Sequence, residues 1–294
     1  MSLVATVIVG SDDPRLDDTM FDGLARQLDA QIDWLDPGRA VDLLVQGDNR
    51  EALSLTLKDA LRDRPVDVVI QDTDNRRKRL LVADMDSTII TVECIDVLAA
   101  QTGIGDEIAA VTARTMRGEL EFAQSLRERM ALLAGTPIEA LEAAWRDSVA
   151  LTPGAGTLIA TMRGHGAFTA LISGGFTWFT ERVAQRVGFD MHQANQLNVE
   201  NGQLTGSLTE PILDRGAKET LLRGLADERG IALADTLAVG DGANDIAMIK
   251  AAGLGVAYHG VQAVREVADA DVQHGDLTAL LYMQGYRQSE FRTA

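Results

Sequence analysis

Cysteine is almost missing from this 294-residue chain, with Cys94 the single example. One thiol excludes an internal disulfide framework and fits a reducing compartment. Aromatic residues are sparse at 4%, and no apolar run approaches the ~20 residues that span a bilayer. Lysine is scarce, with four residues against 23 arginines. Basic side chains total 27 against 44 acidic ones, so the formal net charge is −17. That shortage of positive charge argues against a nucleic-acid surface, which draws its affinity from clustered Lys and Arg. The stretch 1–9 has a short apolar run and no basic lead-in, so a signal peptide is not expected and a cytoplasmic setting is. What is present is ordinary for a folded protein: 46% hydrophobic and 24% charged residues. At roughly 150 residues per domain, the length predicts about two domains.

Residues 1–75 carry 16 acids and 7 bases, the next four residues are all basic, and residues 80–294 carry 28 acids and 16 bases. The basic run Arg76–Arg79 follows the polar cluster Asp72-Thr73-Asp74-Asn75, which places a boundary near residue 75. It reads as a solvated lead into a strand. Before it, strands are expected at Leu3–Val9, Gln31–Leu35, Val41–Gln46 and Val66–Gln71, with helices at Thr19–Ala30 and Arg50–Leu61. This βαββαβ order matches a ferredoxin-like split motif. It resembles the small ACT-type domains that flank enzymes of amino-acid metabolism, which makes regulation, support or a homodimer contact its expected roles.

From Arg79 onward, apolar runs alternate with helical patterns. Leu80–Ala83 runs into Asp84, Ala170–Ile172 into Ser173, and Leu237–Gly240 into Asp241. Near-continuous apolar strands separated by helices predict a doubly wound parallel α/β sheet. Its ligands gather at the carboxyl ends of the strands, where all three polar residues fall. Residues 92–150 show helical faces and no strand, so they read as a helical cap inserted into the 76–294 domain.

Asp84-Met85-Asp86 places two carboxylates two residues apart at a strand end, with Met85 facing the other way. One carboxylate can attack phosphorus and the other can shuttle a proton. Gly240-Asp241-Gly242-Ala243-Asn244-Asp245 adds further oxygen ligands of the kind that Mg²⁺ takes. Alone, Lys218 reads as a solvated helix residue and Ser173 as a helix N-cap.

Four motifs together, Asp84–Thr88, Ser173-Gly174-Gly175, Lys218 and Gly240–Asp245, resemble those of the haloacid dehalogenase superfamily of phosphohydrolases, and within it the phosphoserine phosphatase family. The likeness runs from about Arg79 to Tyr282, with Met85 replacing a phenylalanine common in the first motif. The resemblance implies Asp84 as nucleophile and Asp86 as acid and base. It implies Mg²⁺ held by Asp84, Asp241 and the Asp86 backbone carbonyl, and phosphoryl oxygens held by Ser173, the Gly174 amide and Lys218. Gly175, Asn244 and Asp245 support that arrangement. A carboxylate at position 86 implies hydrolysis, since ion-pumping relatives with threonine there keep their phosphoenzyme.

The same resemblance implies that Glu93 binds a substrate ammonium and Arg129 its carboxylate, with Met116 and Phe122 as an apolar lid. One acid and one bidentate base are a minimal recognition pair for an amino acid. The competing readings are a helix-start acid for Glu93 and surface pairing of Arg129 with Glu121, Glu128 or Glu142. The implied reaction is Mg²⁺-dependent hydrolysis of O-phosphoserine, the last step of serine biosynthesis; another small phosphomonoester such as phosphohomoserine is the alternative. A phospho-acceptor signalling module also uses an aspartate on a parallel sheet, but it has no use for Asp86 or a large insertion. Cys94 is expected to be buried and inert, and the four histidines show no metal-ligand spacing.

Overall fold

A computed structural model gives the fold of residues 2–10 and 15–293, the described residues. It begins with β1 (Ser2–Val9), α1 (Asp18–Leu28), β2 (Ala30–Asp36), β3 (Ala40–Gln46), α2 (Arg50–Ala60) and β4 (Val66–Asp72). The strands form one antiparallel sheet in the order β2-β3-β1-β4. Asp17 caps α1 by accepting from the Thr19 amide, and Phe21 and Leu24 turn inward to meet Leu53, Leu57 and Leu61 of the α2 region. Those side chains cover one face of the sheet, through Leu3, Ala5 and Val7. Its opposite face carries Ile8, Leu35, Ala40 and Val69, which pack into the main core with Leu277–Tyr286. Burial on both faces explains why β1 is apolar almost throughout.

The basic run divides, contrary to the solvated reading. Arg76 donates from Nη1 to Asp42 Oδ2 at 2.7 Å and from Nη2 to Thr6 Oγ1 at 3.0 Å, and Lys78 Nζ donates to the Ala234 carbonyl at 2.7 Å. Arg76 and Lys78 are largely withdrawn from water, whereas Arg77 and Arg79 stay at the surface.

The larger part contains β5 (Leu80–Ala83), α3 (Cys94–Thr102), α4 (Gly105–Met116), α5 (Phe122–Leu132), α6 (Glu139–Ser148), α7 (Ala155–Gly164), β6 (Phe168–Phe176), α8 (Thr177–Val187) and β7 (Met191–Asn195). There follow a hairpin of β8 (Leu197–Glu200) and β9 (Gln203–Leu208), then α9 (Arg215–Arg229), β10 (Thr236–Gly240), α10 (Ile246–Ala251), β11 (Leu254–Tyr258), α11 (Gln262–Arg265), β12 (Ala270–Val272) and α12 (Ala279–Met283). Six parallel strands line up as β12-β11-β10-β5-β6-β7. Apolar layers cover both faces, so the strands are apolar end to end. Helices α3–α6 leave and rejoin this sheet at a neck where Ile90 bridges Leu151. No helix among the described residues is long and apolar enough to cross a membrane.

Candidate active site

Asp84 is the first residue beyond β5, and its amide donates to the Val239 carbonyl at 3.0 Å. The chain then winds round the Met85 carbonyl, which accepts from Ile89 at 2.9 Å and Ile90 at 3.0 Å. Met85 itself is buried in the core, as strand alternation predicts. Ser87 takes φ +55°, a left-handed conformation that costs a non-glycine residue energy and sharpens the turn. Asp84 and Asp86 thus both remain at the strand end.

Lys218, in the first turn of α9, is 1% exposed and links two carboxylates. Its ammonium lies 2.7 Å from Asp84 Oδ1 and 2.6 Å from Asp245 Oδ1. Burial pushes its pKa down, but Asp245 and Asp84 outweigh that and hold it above the usual lysine range. Asp245 also accepts from the Gly242 amide at 3.0 Å. It fits there because position 240 is glycine: a Cβ on Gly240 would lie 2.3 Å from the Asp245 carboxyl carbon.

Carboxylate oxygens of Asp84, Asp241 and Asp245 lie within 4.8 Å of one another. Burial, and then repulsion from Asp84 and Asp245, pushes the Asp241 pKa up to about 8. Burial and Asp84 push that of Asp245 up to about 7 despite Lys218. Three hard oxygen donors this close together form a set that a divalent cation fits. The Asp86 side chain is not one of the three, so the side chains placed to hold a cation would be Asp84, Asp241 and Asp245.

Asp86 faces the cavity instead. Its Oδ1 accepts from the Cys94 amide at the start of α3 at 2.9 Å, and its Oδ2 accepts from Ser173 Oγ at 3.0 Å. Burial and the neighbouring Asp84 raise its pKa, which favours a protonated state able to donate. Gly175 is fixed by close approach, since a Cβ there would stand 2.8 Å from Asp86 Oδ2. Asn244 Nδ2 donates to Asp84 Oδ2 over 3.4 Å.

A cavity of about 360 Å³ opens above these groups, between the sheet and the cap. Asp84, Asp86, Ser173, Gly174, Gly175, Asp241 and Asn244 form its floor, and Glu93, Phe122 and Arg129 its upper wall. Lys218 and Asp245 lie beneath the floor. Met116 ends α4, and its side chain lies outside the described residues. Glu93 occupies the N-cap position of α3 without capping it; its Oε1 accepts from Ser87 Oγ at 2.7 Å. Burial and Asp86 push its pKa up to about 7.

Arg129 makes no ion pair with the acids proposed as its surface partners. Glu128 pairs with Arg114, Glu142 pairs with Arg182, and Arg129 Nε donates to the Ser125 carbonyl. Its guanidinium therefore keeps hydrogen-bond capacity for something in the cavity. Burial lowers its pKa, opposed by Asp96 and Glu93. Cys94 is buried 1% exposed, and burial raises its thiol pKa well above the usual range.

Sequence reasoning missed Thr112, Ile95, Leu126 and Phe176 on the cavity wall, and Asn195 behind it. Asn195 carried a usable signal, as another polar residue at the carboxyl end of a core strand. Thr112, in the middle of α4, carried none.

Residues 81–250 match the haloacid dehalogenase-like hydrolase family, and the chain belongs to it. A curated phosphoserine phosphatase of Streptomyces coelicolor is 44% identical over 260 residues, covering 88% of this chain and 63% of the relative. The chain spans 59–63% of the length of three such relatives. Two solved structures share nearly the whole fold. A HAD family hydrolase from Salmonella enterica serovar Typhi has a TM-score of 0.85 at 29% identity, covering 96% of this chain and 98% of that one. A probable phosphoserine phosphatase from Vibrio cholerae has a TM-score of 0.78 at 31% identity, covering 98% and 88%.

Proposed function

We propose that this protein hydrolyses O-phospho-L-serine to serine and phosphate. The observation that carries this reading is one cavity lined on its floor by Asp84, Asp86 and Ser173 and on its wall by Glu93 and Arg129. The floor suits a phosphoryl group and the wall suits the two charges of an amino acid. The curated relatives bearing the phosphoserine phosphatase name support the same substrate.

In this reading Asp84 attacks phosphorus and forms an aspartyl-phosphate, while Asp86 gives its proton to the departing serine oxygen. Asp86 then takes a proton from the water that cleaves the aspartyl-phosphate and returns Asp84. Lys218 stays cationic throughout and offsets charge on the transferring oxygens, together with the Ser173 hydroxyl. Asp84 and Asp241, with Asp245 beside them, would hold Mg²⁺, which supplies electrostatic stabilisation of the phosphoryl oxygens when bound. Glu93 and Arg129 orient the amino-acid end, and Phe122 excludes water above it. A cytoplasmic setting, a final place in serine formation and a homodimer through the N-terminal domain complete the proposal; the single thiol supports the first and the serine product the second.

The test is phosphate release from a panel containing phosphoserine, phosphohomoserine and phosphothreonine, with and without Mg²⁺. The expected outcome is the highest kcat/KM on phosphoserine, a requirement for the cation and no turnover by Asp84→Asn. Preference for another ester would overturn the Glu93 and Arg129 roles.

A further inference from the structure

We infer that Asn195 is a positioning residue for this active site, acting on the Ser173 hydroxyl through the Gly174–Gly175 peptide. This deepens the phosphatase reading and rests on it.

The argument starts from a break in the sheet. Strand β6 pairs with β7 at Ile172↔Gln193 and next at Phe176↔Asn195, so three residues on one side, 173–175, face a single residue on the other. Such a bulge takes carbonyls out of the ladder and re-aims side chains. Here it lifts Ser173, Gly174 and Gly175 towards the cavity. A peptide freed in this way needs new partners if it is to hold one orientation.

Asn195 supplies them. It is 2% exposed, and its Nδ2 donates to the Gly174 carbonyl at 2.8 Å. The other end of the same peptide, the Gly175 amide, donates to Ser173 Oγ at 2.8 Å. That hydroxyl therefore accepts from Gly175 and is directed to donate onward to Asp86 Oδ2 at 3.0 Å. The order runs Asn195, Gly174–Gly175 peptide, Ser173, Asp86, with every bond within normal length.

The same side chain reaches a second catalytic element. Asn195 Oδ1 accepts from the Leu213 amide at 2.7 Å. The next residue, Asp214, caps α9 by accepting from the Gly216 and Ala217 amides, and Lys218 lies in the first turn of that helix. One short amide thus ties the Ser173 loop to the start of the Lys218 helix. Only an amide offers a donor and an acceptor at this length: aspartate lacks the donor, and leucine or alanine lacks both.

A double-mutant cycle on the full chain with Mg²⁺ tests this, using wild type, Asn195→Ala, Ser173→Ala and the double variant. Asn195→Ala is expected to lower kcat roughly 10–100-fold with KM changed less than about threefold, since misplacing a reacting group costs turnover. In the Ser173→Ala background the same change is expected to cost clearly less than in wild type, because the hydroxyl it positions is gone and only the Leu213 tie remains to be lost. Phosphate-ion affinity, measured by calorimetry on the same four proteins, reads this coupling where Ser173→Ala has no turnover. Asn195→Asp keeps the Leu213 bond, loses the donor and sets a carboxyl oxygen against the Gly174 carbonyl, so it is expected to lower kcat while the Leu213 tie remains.

Equal losses in both backgrounds, or an unchanged kcat in Asn195→Ala, would overturn the inference. So would loss of folding in both the Ala and the Asp variants, which assigns the residue to stability alone. If wild type fails to hydrolyse phosphoserine, the substrate reading falls separately. The cycle is then run on p-nitrophenyl phosphate, which requires only the phosphatase chemistry.

Discussion

Lys218 shows how much a single side chain carries at this site. It lies between Asp84 and Asp245 at 2.7 and 2.6 Å, with almost no exposure to share its charge with water. Removing one partner from a buried ion pair costs about 3–5 kcal/mol, because the other charge is left uncompensated. Lys218→Met is therefore expected to lower the melting temperature by roughly 6–15 °C, and to lower kcat more than a hundredfold; calorimetry and a phosphate assay measure the two. A second prediction concerns pH. The carboxyls of Asp241 and Asp245 titrate near 8 and 7 here, against about 4 in an unfolded chain. Between those values the folded form binds more protons, so their contribution is present at low pH and lost as pH rises. The melting temperature of metal-free protein should fall by roughly 5 °C or more between pH 5 and pH 9, with millimolar Mg²⁺ largely abolishing the fall. A metal-free curve that is flat or rises would sink the clustered-carboxylate account. Asp84, Ser173 and Asp241 were legible in the sequence because each ends an apolar run. The approach of Asp245 to Asp84 was not, since it depends on the missing Cβ of Gly240 and on where α9 delivers Lys218.

The cap is held to the core by more than its neck. Hairpin β8–β9 rises from the end of β7 and grips the chain that follows α5. The Gly135 amide donates to the Leu204 carbonyl at 2.8 Å, and the Ile138 amide to the Gly202 carbonyl at 2.9 Å. Because α5 carries Phe122 and Arg129, the hairpin braces the helix that lines the upper wall of the cavity. Gly206 sits at φ +81°, and a Cβ there would come within 2.8 Å of Ala134 Cβ. Gly206→Val should lift this contact and raise KM for phosphoserine roughly tenfold, with kcat less affected; steady-state kinetics would show it, and an unchanged KM would contradict the link. Helix faces such as Leu53, Leu57 and Leu61 were readable at their 3.6-residue spacing. The hairpin was overlooked although Asn201-Gly202, both with positive φ, is a strong two-residue turn signal. Its strands are short and rest on a helix, so their alternation is weak.

At the scale of the molecule, the N-terminal sheet is clamped between its own helices and the tail of the chain. Arg76 joins Asp42 and Thr6 on the sheet to the carbonyls of Tyr282 and Met283. Tyr282 donates to Asp36, and Arg287 pairs with Asp33. The Asp67 carboxylate accepts from the amides of Gln273, His274 and Gly275. This face is already occupied within one chain, and so are Asp33, Trp34 and Asp36 of edge strand β2, so neither is free for a second copy. Asp42→Asn should leave the Arg76 guanidinium poorly compensated and destabilise the whole protein by about 3 kcal/mol, read from urea unfolding. A change below roughly 0.5 kcal/mol would show that the clamp is only a surface pair. Composition and charge suggested a boundary near residue 75, but they could not show the interlock, because it joins residues far apart in sequence.

That interlock sets an order of events when the chain is made. The Gln71 side chain and the Met283 carbonyl that accepts from it are 212 residues apart, and Ile8 and Val69 wait for the same late segment. On a translating ribosome the first sheet can close against its own helices within its opening 75 residues. Its second face then stays apolar and uncovered until residues 277–286 have been synthesised. Such an interval exposes a nascent chain to chaperones and to neighbouring copies of itself.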